Sequence, residues 1–94
     1  MLDHTAAVAL RDAILATSGV AGMSGGRFGE IALPFPGERV KGLRDVDGVL
    51  DVHLVADLSA KRNLFDTAAD VEALALDAGA ARVLVSFDDA HTTT

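Results

Sequence analysis

Residues 24–37 constrain the fold of this chain more than any other stretch. They read Ser-Gly-Gly-Arg-Phe-Gly-Glu-Ile-Ala-Leu-Pro-Phe-Pro-Gly and hold four of the nine glycines and both prolines. Glycine adopts backbone angles that other residues avoid, whereas proline fixes φ and removes a hydrogen-bond donor. A continuous helix is therefore excluded here. We expect a structured loop, then a short strand over residues 30–33, then an extended Pro-Phe-Pro exit.

Size and composition indicate one small domain with an aliphatic core. The chain has 94 residues, half of them hydrophobic, but only four aromatic residues. A net charge of −6 argues against a nucleic-acid partner, since such binding depends on cations that neutralise phosphates. The absence of cysteine excludes disulfides, thiolate zinc sites and a cysteine nucleophile. No apolar run approaches the roughly 20 residues of a membrane span, so we expect no direct membrane insertion.

Two amphipathic helices are predicted from apolar residues at helical spacing. The first covers residues 3–17, with Asp3 or Thr5 as its N-cap and Gly19 as its stop. The second begins after the cap Asn63 and runs to about Asp77. The predicted inward residues are Ala6, Leu10, Ala13, Ile14 and Thr17 in the first helix, and Leu64, Ala68, Val71, Leu74, Ala75 and Ala78 in the second.

Strands are predicted over residues 20–23, 30–33, 49–58 and 81–87, with a further strand over 38–46 that is bent or bulged at Gly42. Asp47-Gly48 is typical of a two-residue hairpin turn. Alternation places Leu50, Val52, Leu54, Ala56 and Leu58 toward the core. We expect the strand–helix–strand crossover at the end to make the last two strands parallel.

The predicted fold is α+β in the order α-β-β-β-α-β, which counts one strand fewer than the five segments above. We expect a two-layer sandwich, in which a small mixed sheet carries two helices on one face. The domain is predicted to cover residues 1–90. Residues 88–94 are expected to form a frayed polar tail, and 91–94 to be disordered.

The glycine-rich stretch is the first candidate site, with the residues Gly25, Gly26, Arg27, Phe28, Gly29 and Glu30. Free amides beside an arginine can form an anion-binding nest. The alternative, which we favour, is a tight turn in which Arg27 pairs with Glu30 or another carboxylate and Phe28 plugs the edge of the core. The stretch matches neither a Walker loop nor the Gly-x-Gly-x-x-Gly fingerprint.

His53 is the second candidate, because Asp51 and Asp57 lie near it on the outward face of the same strand. Two carboxylates and an imidazole can bind a metal, but nothing else completes a ligand set. We therefore favour a solvated sheet face and expect no metal and no cofactor. No serine lies in a nucleophile context and no catalytic residue can be proposed, so the prediction is that the protein is not an enzyme.

The same outward face also carries apolar residues. Val49, Val55 and Leu84 are predicted to lie there beside His53. Both helices are expected on the opposite face, so these residues need cover if they are contiguous. The pattern predicts a candidate interface, and a homo-oligomer is one way to cover it.

Several motifs together resemble the alkaline shock protein family of bacterial envelope stress response proteins, most closely its short actinobacterial branch. They are Ser-Gly-Gly-Arg-Phe-Gly-Glu at 24–30, Pro-Gly-x-Arg-Val-x-Gly at 36–42, Asp-Val-His-Leu-Val at 51–55 and the valine-rich segment 82–89 with its closing acids. The first block is the most specific, and the resemblance covers nearly the whole chain.

The resemblance implies a small α/β domain without known catalysis. Some family members are abundant cytosolic proteins that gather at the membrane through a separate membrane-embedded anchor protein, and some self-associate. It therefore implies a cytoplasmic, non-enzymatic module of envelope stress response that acts through protein–protein contacts. The alternative, from the residues alone, is a small anion- or ligand-binding domain that uses the loop 25–30.

Overall fold

The computed structural model describes residues 2–92, which form an α+β fold of two helices, six strands and one short 3-10 turn. The 3-10 turn, Leu58–Ala60, lies between β5 and α2. In chain order the elements are α1 (His4–Leu15), β1 (Val20–Met23), β2 (Ala32–Phe35), β3 (Glu38–Lys41), β4 (Leu43–Val46), β5 (Val49–Asp57), α2 (Leu64–Asp77) and β6 (Arg82–His91).

Both helices begin at the predicted kind of cap. The Asp3 carboxylate accepts a hydrogen bond from the Ala6 amide at 2.7 Å, so Asp3 and not Thr5 caps α1. The Asn63 side chain accepts from the Phe65 amide at 2.7 Å and caps α2. These caps satisfy amides that have no partner inside the helix. The first helix ends two residues earlier than predicted, at Leu15.

The nine-residue strand β5 is the centre of the sheet. On one edge it pairs antiparallel with β4 along its first half and with β1 along its second half. On its other edge it pairs in parallel with β6. The sheet is therefore mixed, and the parallel crossover predicted for the last two strands is confirmed. β2 and β3 form a separate antiparallel hairpin.

The core lies between the two helices and one face of β5. The inward residues of this strand, Leu50, Val52, Leu54 and Ala56, are at most 4% exposed. Burial of these aliphatic side chains is the main favourable contribution to folding. The helices bury Ala7, Leu10, Ile14, Thr67, Val71 and Ala75 on their facing sides.

The predicted strand over 38–46 is in fact two strands, β3 and β4, separated by Gly42. Gly42 has φ +89°, and a Cβ there would lie 2.7 Å from the Met23 Cβ. The chain turns sharply at this tight contact, so β3 joins the hairpin and β4 joins the main sheet. The predicted order α-β-β-β-α-β therefore lacked strands, although the fold class is confirmed.

Three other predicted details, two strand boundaries and one buried position, were also wrong. β2 begins at Ala32 and not at residue 30, because Glu30 belongs to the preceding loop. Leu58 is 48% exposed, since the chain leaves the sheet there and enters the 3-10 turn. Leu64, predicted to face the core, is 39% exposed because it lies at the first position of α2, beyond the edge of the packed layer.

The last strand is longer than predicted. β6 continues through Asp88 to His91, with an irregularity in its register where Asp88 has no partner on β5. The parallel ladder with β5 supplies backbone partners to residues that the sequence indicated as a frayed tail. Of the tail predicted to be disordered, Thr93 and Thr94 lie outside the described residues.

Candidate functional site

The glycine-rich stretch forms a loop over residues 24–31, here called the glycine loop, beside the midpoint of β5. The Ser24 amide donates to the His53 carbonyl at 2.8 Å, and the His53 amide donates to the Gly42 carbonyl at 2.8 Å. At His53 the edge partner of β5 thus changes from β4 to β1. The glycine loop begins at this change, which fixes its position on the outward face of the sheet.

Internal hydrogen bonds hold the glycine loop closed. The Ile31 amide donates to the Gly25 carbonyl at 2.9 Å, and the Gly26 amide donates to the Ser24 hydroxyl at 3.2 Å. From the neighbouring hairpin, the Arg39 guanidinium donates to the Gly29 carbonyl at 3.1 Å. The loop is therefore an ordered structure whose shape depends on its own polar groups.

Glu30 occupies the place that an anion would take in the predicted nest. One oxygen of its carboxylate accepts from the Phe28 amide at 2.9 Å. The pKa of Glu30 lies below its ordinary value, because its own amide and that of Phe28 donate to the carboxylate. Electrostatic interactions with Arg44 and His53 lower this pKa further. An external anion would have to displace this side chain.

Phe28 does not plug the core edge as predicted. It is 86% exposed, and the guanidinium carbon of Arg27 lies 5.8 Å from the centre of its ring. That geometry is typical of a cation–π contact. Ile31, only 3% exposed, is instead the apolar side chain buried beneath the loop, close to Gly26. The expected pairing of Arg27 with Glu30 or another carboxylate is likewise absent from residues 2–92.

A histidine–aspartate pair lies next to the glycine loop. The Nδ1 atom of His53 lies 3.0 Å from one carboxylate oxygen of Asp88, and the imidazole side chain is 18% exposed. Asp88 is itself the residue without a partner on β5, and it lies on the same face of the sheet as His53. The sequence analysis missed this pair because it ended the strand before Asp88; the parallel pairing it predicted for the last two strands was the available signal.

The acidic residues near His53 do not converge on it as a metal site. Asp51 accepts from Arg44 at 3.4 Å, and Asp57 accepts from the Ser59 amide at 3.0 Å and caps the 3-10 turn. Within residues 2–92 no group of three or more His, Cys, Asp or Glu side chains could hold a metal ion. Over the same range no hydroxyl hydrogen-bonds to the imidazole of His53.

An open groove separates the glycine loop from the end of β6. It is lined by Ser24, Gly26, Arg27, Asp88 and Asp89. One cation and two carboxylates line the groove, so its charge is mixed and does not favour the binding of a simple anion. Arg27, which lines this surface depression, is also the residue whose guanidinium lies near the exposed Phe28 ring.

The four predicted interface residues share the outward face of the sheet. Leu84 is 57% exposed, whereas Val49, His53 and Val55 are half-buried by their neighbours. The sheet pairing places Leu84 beside Asp51 and Val49 beside Arg82, so charged residues alternate with the apolar ones. A self-association surface on this face stays a prediction.

Comparisons of the chain with protein-family models, with curated proteins and with solved structures found no match. Across residues 2–92, neither helix is both long and apolar enough to cross a membrane.

Proposed function

We propose that this protein is a non-enzymatic module of bacterial envelope stress response and cell-envelope homeostasis that binds another protein through the glycine loop. The observation that carries the proposal is the Phe28 ring, 86% exposed on a loop closed by its own hydrogen bonds. Exposing an aromatic ring to water is unfavourable, and aromatic side chains are enriched at the centres of protein interfaces.

The surroundings of Phe28 suit a protein partner. Arg27 lies beside the ring, and the groove next to it offers the carboxylates of Asp88 and Asp89. An aromatic anchor with a mixed polar rim is the usual composition of a protein–protein interface. Because the loop is already ordered, binding would cost little conformational entropy.

The envelope role in the proposal comes from the motif resemblance in residues 24–30 and 36–42. It implies a partner that is a membrane-embedded anchor protein, with this chain on the cytoplasmic side. The net charge of −6 disfavours direct attraction to an anionic lipid surface, which supports recruitment by a protein.

The test compares two exposed phenylalanines. Phe28→Ala should abolish recovery of the chain in the membrane fraction and binding to the purified anchor protein. Phe65→Ala, at a ring 85% exposed on α2, should leave both unchanged. Neither change should alter the free energy of unfolding by more than about 0.5 kcal/mol, since both side chains are exposed.

Equal partner binding by the wild type and Phe28→Ala would overturn the proposal. A strain lacking the protein should regain envelope-stress tolerance from the Phe65→Ala gene and not from the Phe28→Ala gene. The alternative, an anion- or ligand-binding loop, is tested by titration with inorganic phosphate. Shifts of the amide resonances of residues 25–31 would favour that alternative, although Glu30 already accepts from one of these amides.

A further inference from the structure

The strand β6 leaves a long edge of the sheet unpaired. It runs over ten residues and pairs with β5 on one side, while no strand within residues 2–92 pairs with its other side. On the opposite edge of β5, β1 and β4 have only four residues each. A free edge presents a row of backbone donors and acceptors that can accept another strand.

The charges on β6 are arranged along its length. Arg82 lies at its first position, and Asp88 and Asp89 follow six and seven residues later. Arg82 is exposed and has neither an ion pair nor a hydrogen bond to any described residue. Pairing with β5 brings Arg82 beside Val49 and Asp88 against His53, so both charged groups lie on the outward face.

Edge charges and an irregular register commonly protect a sheet from pairing with foreign strands. Here the same charges select one orientation for a second copy of β6. In a parallel pairing in register, Arg82 would meet Arg82 and the aspartates would meet each other. In an antiparallel pairing centred on Val85, Arg82 of each copy lies opposite Asp88 of the other. Such opposite charges across two strands are stabilising.

The uncharged residues of β6 fit the same register. On the helix side Val83 would face Phe87, and Val85 would face its own copy; these three side chains are half-buried at the margin of the core. On the outward face Leu84, 57% exposed, would lie diagonally across from Leu84 of the second copy. Pairs of aromatic and β-branched residues across strands contribute favourably.

We propose that two copies of this chain pair through antiparallel β6 edges centred on Val85. A two-fold axis normal to the sheet then joins the two four-stranded sheets into one, with all the helices on one face. Two Arg82–Asp88 contacts form per dimer. The Phe28 ring is not part of this edge and stays free in each copy, although Asp88 also lines the groove between the glycine loop and β6.

Sedimentation equilibrium of the full chain over a range of concentrations tests the pairing. The wild type should dimerise. Arg82→Asp and Asp88→Lys, each alone, should weaken the dimerisation constant by about tenfold or more, because each places like charges opposite at two contacts. An equimolar mixture of the two variants should dimerise again, since both contacts between unlike copies then join opposite charges.

Lys41→Glu is the matched control. It changes one exposed cation on β3, on the far side of β5 from β6, and should leave dimerisation unchanged. A monomeric wild type, an equal effect of Lys41→Glu, or a mixture that stays monomeric would each overturn the proposal. None of these results depends on Phe28, so they leave the proposed partner binding to its own test.

A second measurement covers the case in which Asp88→Lys, which loses the contact to His53, does not fold. The chain has no cysteine, so single cysteines can be introduced at residues 84, 85 and 86 and oxidised. The yield of disulfide-linked dimer should be highest for Val85→Cys, where the two Cβ atoms are expected about 5 Å apart. A yield no higher than that of Lys41→Cys would contradict the pairing.

Discussion

The two faces of β5 share one backbone but differ in the polarity of their side chains and in what covers them. The inward face carries four aliphatic side chains that are at most 4% exposed under the two helices. The outward face carries Val49, Asp51, His53, Val55 and Asp57, all half-buried by neighbouring strands and loops and not by a second layer. The comparison teaches that one face is stabilised by burial from water, whereas the other is organised by specific polar contacts.

The largest expected effect is on the inward face. Leu54→Ala removes a side chain that is 0% exposed at the centre of the core, and it should lower the free energy of unfolding by about 2–5 kcal/mol. Leu84→Ala on the outward face should lower it by less than about 1 kcal/mol, because that side chain is mostly exposed. Urea unfolding of both variants at a concentration where the protein is monomeric measures the difference. Similar losses would contradict the contrast between the faces.

A loss of up to similar size is expected at Gly42, where the hairpin and the main sheet meet. Gly42→Ala must hold alanine at φ +89°, at about 1–2 kcal/mol, and must also fit a Cβ 2.7 Å from Met23. Such crowding costs about 1–3 kcal/mol more. Gly48→Ala is the matched control, since φ is +81° and no atom lies within 4 Å of the added Cβ. Equal unfolding free energies in urea would show that crowding at Gly42 has no role.

The smallest effect is a local dependence on pH in the glycine loop. The amides of Glu30 and Phe28 lower the pKa of the Glu30 carboxyl, so its folded value lies below its unfolded one. The stabilisation of the glycine loop by the ionised Glu30 carboxylate is fully present above the ordinary glutamate pKa. It is lost as the pH falls through the lowered pKa of the folded state. Hydrogen exchange at the Phe28 amide, corrected for its intrinsic pH dependence, should lose protection over this window.

Glu30→Gln is the control for that titration. Its amide oxygen can still accept from Phe28, but it does not titrate, so the loss of protection at low pH should disappear. The amide of Leu54, in the core strand, should keep its protection in both proteins over the same window. A loss at Leu54 that parallels the loss at Phe28 would mean that the whole fold, and not the loop, responds to Glu30.

Much of the fold could be predicted from local patterns. The alternation of apolar and polar residues in β5 identified its inward residues, because a strand that lies between a layer of helices and an open surface needs one apolar face. Asp47-Gly48 predicted the hairpin turn, and both residues have positive φ, +52° and +81°. Asp3 and Asn63 were identified as caps because short polar side chains satisfy the first helical amides.

The predictions that were wrong or missing concern features that depend on contacts between residues distant in sequence. The sequence indicated a bend at Gly42, but no local pattern shows that the chain divides there into two strands because Met23 packs against it. Nor could the sequence show that Phe28 faces water and Ile31 is buried, since both are apolar and three residues apart. The His53–Asp88 pair joins residues 35 positions apart and depends on the register of two parallel strands.

The sequence by itself determined most of the secondary structure, the aliphatic core and the unusual glycine loop, because propensity and periodicity act over a few residues. The tertiary structure decided what the outward face contains. It placed the glycine loop where two strands meet beside His53, brought Asp88 to that histidine, and left the β6 edge open. Those arrangements follow from strand order and register, which are set by packing between distant segments.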